Sequence, residues 1–152
     1  MTTKKTAAPL DLDALDTCAA CDKGAEIELR HPTTGEPVGI FVTILGKDSE
    51  VFRQHVKEDV NTRIRRQALA DKRGKDVAPP TAEEAEEKAT DLLVVCTVGW
   101  RQRIEGDNFK STITYKGEEL AFTVANAKKL YSNLLWFRRQ VDEAIGDLEN
   151  FM

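Results

Sequence analysis

An α+β fold is what this sequence predicts: a small N-terminal β-hairpin on a mainly helical body. Three observations carry that expectation. Apolar and polar residues alternate with a period of two on either side of Pro-Thr-Thr-Gly in the segment 26–45. Two longer stretches, 48–75 and 81–103, repeat apolar residues every three or four positions and are separated by Gly-Lys-Asp-Val-Ala-Pro-Pro. From Thr123 the helical period returns and runs to the C-terminus.

Residues 1–10, MTTKKTAAPL, hold too little apolar surface to offset the entropy of ordering, so a flexible arm is expected there. The remainder, 11–152, predicts one α+β domain, because a chain of 152 residues can bury one core but hardly two. In PLDLDALDTCAACDKG, helical spacing places Leu12, Leu15 and Ala19 on one side with Cys18 beside them, and Gly24 ends the helix. The hairpin follows, with Ile27 and Leu29 in its first strand, a loop at 33–36, and Ile40, Val42 and Ile44 in its second. The other face of that second strand carries Phe41, Thr43 and Leu45. A strand apolar on both faces is expected to meet further protein on each.

The stretch 48–75 predicts a helix of about six or seven turns. Asp48 or Ser49 is its cap, Phe52, Val56, Val60, Ile64 and Ala68 form its stripe, and its far end is basic. Thr81 and Glu84, at capping-box spacing, open the next helix, whose first turns are acidic through Glu83, Glu84, Glu86 and Glu87. Folded back as an αα-hairpin, it would set those acids against the basic end of its predecessor. Its later part, 92–100, is apolar nearly all round and predicts the most buried helix. Ile113 and Tyr115, a turn at Lys116 and Gly117, then Leu120 and Phe122 predict a second short hairpin or a turn-containing loop.

The final helix shows the strongest pattern. Leu130, Leu134, Phe137, Val141, Ala144, Leu148 and Phe151 form a heptad seam, which Tyr131, Leu135, Trp136 and Ile145 widen, and Gly146 is the expected bend. Adjacent Trp136 and Phe137 lie about 100° apart on a helix, so one of the two is expected at an outer surface.

Chemistry-bearing motifs are few. A net charge of -4 gives no general attraction to nucleic acid or an anionic membrane. The basic run Arg63, Arg65, Arg66, Lys72, Arg73 and Lys75 lacks the interleaved aromatics that stack bases. No apolar run is long enough to span a bilayer, and no leader-like pattern opens the chain, so a cytosolic protein is expected. Cys18-Ala-Ala-Cys21 is a weak metal or redox motif. It lies late in a predicted helix with no strand before it, and His31, His55 and Cys96 belong to other elements, so a four-ligand zinc set is not assembled by spacing. Neither histidine has a neighbouring nucleophile, and no glycine pattern cradles phosphate. No cofactor, no metal and no enzymatic activity are expected.

The ending WFRRQVDEAIGDLENFM resembles the closing segment of tail assembly chaperones of long-tailed bacteriophages. That family finishes on an aromatic and arginine-bearing helix, a Val-Asp-x-x-Ile-Gly-Asp-like turn and a terminal Asn-Phe. The matching positions here are Trp136, Arg138, Gln140, Val141, Asp142, Ile145, Gly146, Asp147, Asn150 and Phe151. HPTTGEPVGIFVTILGKDSEVFR is similar to the same family's hairpin, with its Pro-x-Thr-Gly turn and the Gly-x-Asp-Ser that opens a long helix.

The resemblance implies a non-enzymatic protein of the host cytoplasm that binds the tape measure protein. It would assist assembly of the tail-tube protein around that client and be absent from the mature virion. Homo-oligomers are compatible with that role; nucleic acid and membrane are not expected partners. Its docking residues would be Phe41 and Leu45 on the strand and Trp136, Phe137, Val141, Ile145 and Phe151 on the last helix. Two other readings stay open: a structural tail or neck component retained in the virion, and a CxxC metal or redox protein using Cys18 and Cys21.

Overall fold

The computed structural model describes residues 9–152, so all but the last two residues of the expected N-terminal arm lie outside the described part. The single helix expected around Cys18 is broken in two. A 3-10 turn, Leu12–Leu15, precedes α1, Thr17–Lys23. The break falls at Asp16, whose carboxylate accepts from the Ala19 amide at 3.0 Å and so starts a new helix. Leu12 and Leu15 are exposed; Cys21, on the opposite side from that expected, is the residue α1 buries.

Strands β1 (Ala25–Arg30) and β2 (Pro37–Ile44) form the predicted antiparallel hairpin, with Ile27 opposite Val42 and Glu28 opposite Phe41. His31 shapes the loop, its Nδ1 accepting from the amides of Thr33 and Thr34, each at 3.1 Å. Next come α2 (Glu50–Lys72), capped by the Ser49 hydroxyl on the Phe52 amide at 3.2 Å, and α3 (Ala82–Cys96), capped by Thr81 on the Glu84 amide at 3.1 Å. Both caps are those the sequence predicts.

The αα-hairpin is present. None of the 23 residues of α2 is buried, and its stripe lies open, with Val56 41%, Val60 37% and Ile64 61% exposed. Repeats every four residues advance 40° per step beyond a full turn, so the stripe rotates away from α3 along its length. Among the described residues, the ion pair joining the two helices is Asp59 to Lys88 at 2.9 Å, an acid of α2 with a base of α3. Two acids of α3 bond to the C-terminal helices, Glu86 to Arg138 at 2.9 Å and Asp91 to Lys128 at 3.1 Å, while Glu84 and Glu87 line a shared hollow with Arg66 of α2, the acid-beside-base arrangement expected.

The second helix also stops short of its expected end. Residues 97–100, the end of the run expected to be the most buried helix, and the residues after them belong to strand β3, Thr97–Glu105. Thr97, Val98 and Trp100 favour extended backbone over helix, and β2 needs a second partner for its free amides and carbonyls. Val42 pairs with Trp100 and Phe41 with Arg101. A turn at Gly106 leads to β4, Asn108–Lys110, which the sequence reading missed, and the sheet order is β1-β2-β3-β4. Strands β5 (Thr112–Tyr115) and β6 (Glu118–Ala121) make the second hairpin. Its two-residue turn has positive φ at both Lys116 (51°) and Gly117 (77°), the backbone of a type I′ hairpin.

The C-terminal helix is two helices, α4 (Val124–Asn133) and α5 (Leu135–Gly146), with extended backbone at Leu134 between them (φ -115°, ψ 93°). The Leu134 amide still reaches the Leu130 carbonyl at 2.9 Å, and its carbonyl accepts from Arg138 at 3.1 Å, so the break costs little hydrogen bonding. It lets Leu130 and Tyr131 enter the core from one direction and Phe137, Val141 and Ile145 from another. Gln140 fastens α5 to β1: its Oε1 accepts from the Arg30 amide at 2.8 Å and its Nε2 donates to the Arg30 carbonyl at 2.7 Å. After a 3-10 turn, Leu148–Asn150, Phe151 lies half-buried. No helix among the described residues is long and apolar enough to cross a membrane.

One hydrophobic cluster joins these parts, from Leu29, Val42 and Ile44 on the sheet through Leu93 and Trp100 to Tyr131, Phe137 and Val141. Its polar members are satisfied. Trp100 Nε1 donates to the Leu120 carbonyl at 3.1 Å, and the Thr97 hydroxyl donates to the Leu93 carbonyl at 2.7 Å while standing 2.6 Å from Tyr131 Oη. Beside this core, a Cβ at Gly46 would overlap the Cys21 side chain and reach the Phe151 ring at 3.0 Å. Glycine there lets α1, the loop after β2 and the C-terminus close on one another.

Gly46→Ala should therefore lower stability by about 1–3 kcal/mol through overpacking. For a chain of this size that is a fall in Tm of roughly 2–4 °C per kcal/mol, read by calorimetry. Phe137→Ala should cost more, about 3–5 kcal/mol, by opening a cavity. Burial raises the Cys96 thiol from 9.0 to about 11, so the folded state holds that proton longer than the unfolded chain does. The associated stability is complete below pH 9.0 and is lost as pH rises toward about 11. Urea unfolding across that window should show the decline beginning near its lower end, and Cys96→Ala should remove that part of it.

Candidate partner-binding surfaces

The pleat of the four-stranded sheet sorts its side chains. Ile27, Val42 and Trp100 are cross-strand neighbours directed at the helices, and so Glu28, Phe41 and Arg101 share the opposite face. Arg103 and its partner Phe109 continue that face onto β4. Phe41 and Phe109 are half-buried, yet neither belongs to the core cluster. What covers them is the pair of arginines from β3.

The geometry is compact. The rings of Phe41 and Phe109 meet edge to face, with centroids 5.5 Å apart and planes at 74°. The Arg101 guanidinium carbon stands 4.0 Å from the Phe109 centroid and 5.1 Å from that of Phe41, and Arg103 stands 5.4 and 5.5 Å from the same rings. Arg101 is further held by Glu26 through two hydrogen bonds, of 2.9 and 2.6 Å, and this carboxylate raises its already high pKa. Arg103 forms no ion pair among the described residues. One oxygen of Glu28, Oε2, is buried without a hydrogen-bond partner. The face thus offers an aromatic centre and a cationic side at Arg103.

The residues singled out in the sequence are distributed differently from expectation. Phe41 lies at the centre of this open face. Leu45 is half-buried against Gly24, off the aromatic patch. Phe137, Val141 and Ile145 are core residues at 1%, 0% and 2% exposure, so they present no surface to a partner. A single apolar stripe serves one purpose here: the sheet and α3 already cover it. Trp136 is half-buried and packs edge-on against Phe137 with centroids 6.0 Å apart, so of the adjacent aromatics Phe137 is the one wholly inside. Phe151 closes against Gly46.

Arg101 and Arg103 fall in a segment the sequence predicts as helix, and no element is predicted over Phe109. The alternation through Trp100, Arg101, Gln102 and Arg103, with Gly106 and Asp107 as a turn, was the signal that could have found them. Also unforeseen is a cleft of about 360 Å³ between α3, α4 and α5, whose walls include Glu83, Glu87 and the two ion pairs of Glu86 and Asp91.

Of the cysteine pair, Cys18 is half-buried and Cys21 wholly buried, and burial raises the Cys21 thiol above its ordinary value. That shift opposes the thiolate which metal binding and disulfide exchange both use. Among the described residues no group of three or more His, Cys, Asp or Glu side chains is placed to hold a metal ion.

No protein-family model, no curated protein and no solved structure matches this chain. The thiol geometry predicts ordered labelling. A water-soluble thiol reagent at neutral pH should modify Cys18 in the native protein, whereas Cys21 and Cys96 should react only at the rate of unfolding, as peptide mass spectrometry over time would read.

Proposed function

We propose that the chain is a tail assembly chaperone of a long-tailed bacteriophage, which binds the helical tape measure protein in the host cytoplasm and assists assembly of the tail tube around it. The observation that carries this reading is the open sheet face, where Phe41 and Phe109 lie outside the core and are flanked by arginines. The hairpin and long-helix segments that resemble the family adopt the element order that resemblance implies, and Phe41 lies within them.

An amphipathic client helix suits this face. Its apolar residues would pack on the two rings, and an acidic flank would meet Arg103. Both aromatics are pre-positioned by their strands, so little conformational freedom is lost on docking. The arginine rim is solvent-accessible, and contacts of that kind favour encounter and reversible release over tight retention. The docking surface is accordingly assigned to the sheet, and the terminal stripe is assigned to holding the domain together.

Co-expression with the tape measure protein of the same phage tests the reading directly. Wild-type chain should co-purify with it. Phe41→Ala and Phe109→Ala should each weaken binding by about tenfold or more while far-UV circular dichroism is unchanged. Arg103→Glu should weaken it for an acidic client and make the remainder less sensitive to salt. Mass spectrometry of purified virions provides the counter-test: stoichiometric amounts in finished particles would favour a structural tail component instead.

A further inference from the structure

The open stripe of α2 has a pattern of its own. Taking 100° per residue, Arg53, Val56, Ile64, Gln67 and Asp71 all fall within about 40° of Val60 around the helix axis. All six are exposed. This face lies about 100° round the helix from Phe52, His55 and Asp59, the half-buried residues on the side toward α3 and the core. The helix therefore has two sides of use, and the one centred on Val60 meets α3 only at its edge, where Val56 shares a surface hollow with Lys88, Ala89 and Leu92.

We propose that this face pairs with the same face of a second copy of the chain, antiparallel, about a two-fold axis level with residue 62. The self-complementarity of the sequence is what singles out a second copy. In that register Val60 of one copy lies level with Ile64 of the other, and the two-fold repeats that contact, so apolar meets apolar at the centre of the seam. Arg53 lies level with Asp71 of the second copy, and the two-fold repeats that pair at the far end.

The charges on both residues are available. Arg53 donates through Nε to its own Asp48 carbonyl at 3.1 Å, which leaves its terminal nitrogens free, and Asp71 receives only the Gln67 amide, at 2.9 Å on Oδ1. Neither forms an ion pair among the described residues. Asp71 is the only acid in the basic tract from Arg63 to Lys75, and it sits where the reversed copy brings an arginine. The antiparallel arrangement also keeps the two basic tips at opposite ends of the seam and places each beside the half of the other helix that carries Glu50, Glu58 and Asp59. A parallel pairing would set the tips against one another.

Residues 53 and 71 are 18 positions apart on one helix, about 27 Å along its axis, so within a single chain their side chains cannot meet. This makes charge exchange a clean test on the full-length protein without any client. Sedimentation equilibrium of the wild type from about 1 µM to about 1 mM should show a reversible monomer–dimer equilibrium that weakens with salt. Arg53→Asp and Asp71→Arg should each raise the dimer dissociation constant by about tenfold, and the double exchange should return it toward the wild-type value. Val60→Asp should leave only monomer. Circular dichroism should be unchanged in all four variants, because every substituted residue is exposed. A wild type that stays monomeric over the range, single variants that dimerise as well as the wild type, or a double exchange that fails to restore dimerisation would each overturn the proposal. No outcome depends on the client-binding reading.

Discussion

The passage from α3 directly into β3 governs the rest of the molecule. There is no loop between Cys96 and Thr97, so the end of the helix and the start of a central strand are fixed by the same few bonds. Thr97 closes the last helical turn onto Leu93 through its hydroxyl, and Tyr131 of α4 must then donate its own phenol hydrogen to that hydroxyl. The Leu45 amide, at the end of β2, reaches the Cys96 carbonyl at 2.7 Å. Helix, sheet and C-terminal region are thereby tied at one buried point. Burial also holds the Tyr131 phenol well above its usual pKa, which keeps the donor protonated.

Local signals were legible in the sequence and non-local ones were not. Both helix caps and the Lys116-Gly117 turn depend on residues within four positions of one another, and the first hairpin on a short loop between its strands; Ser49 is one of the two caps the pattern offers, and the others form where it places them. Residues 97–103 contain apolar side chains at spacings compatible with helix or strand, and the choice is made by β2, more than fifty positions earlier, which needs a partner on its open side. The break at Leu134 is likewise a tertiary result. Nothing as strong as proline marks it, and two extended dihedral angles let both halves of the apolar pattern reach the same core.

Apolar periodicity identifies a face that wants cover without saying whose atoms supply it. The heptad-like seam at the C-terminus and the four-residue stripe on α2 look alike in sequence, yet the first is buried within the chain and the second lies open. The seam is continuous with aromatic and β-branched neighbours, whereas the α2 stripe is narrow and hemmed by arginines and lysines, which keep their charged ends in water. The candidate partner-binding face is half legible: Phe41 follows from a strand apolar on both sides, while Phe109 and the two arginines require knowing that β3 is a strand at all.

The amide of Gln140 has a consequence beyond docking α5. Strand β1 forms one border of the sheet, where unpaired amides and carbonyls would otherwise invite another chain to add itself. By both donating to and accepting from Arg30, a single side chain imitates one residue of a neighbouring strand and finishes the border there. At the opposite border, β4 is only three residues long. A sheet that carries two half-buried rings outside the core runs the hazard of growing from chain to chain, and these two borders limit it.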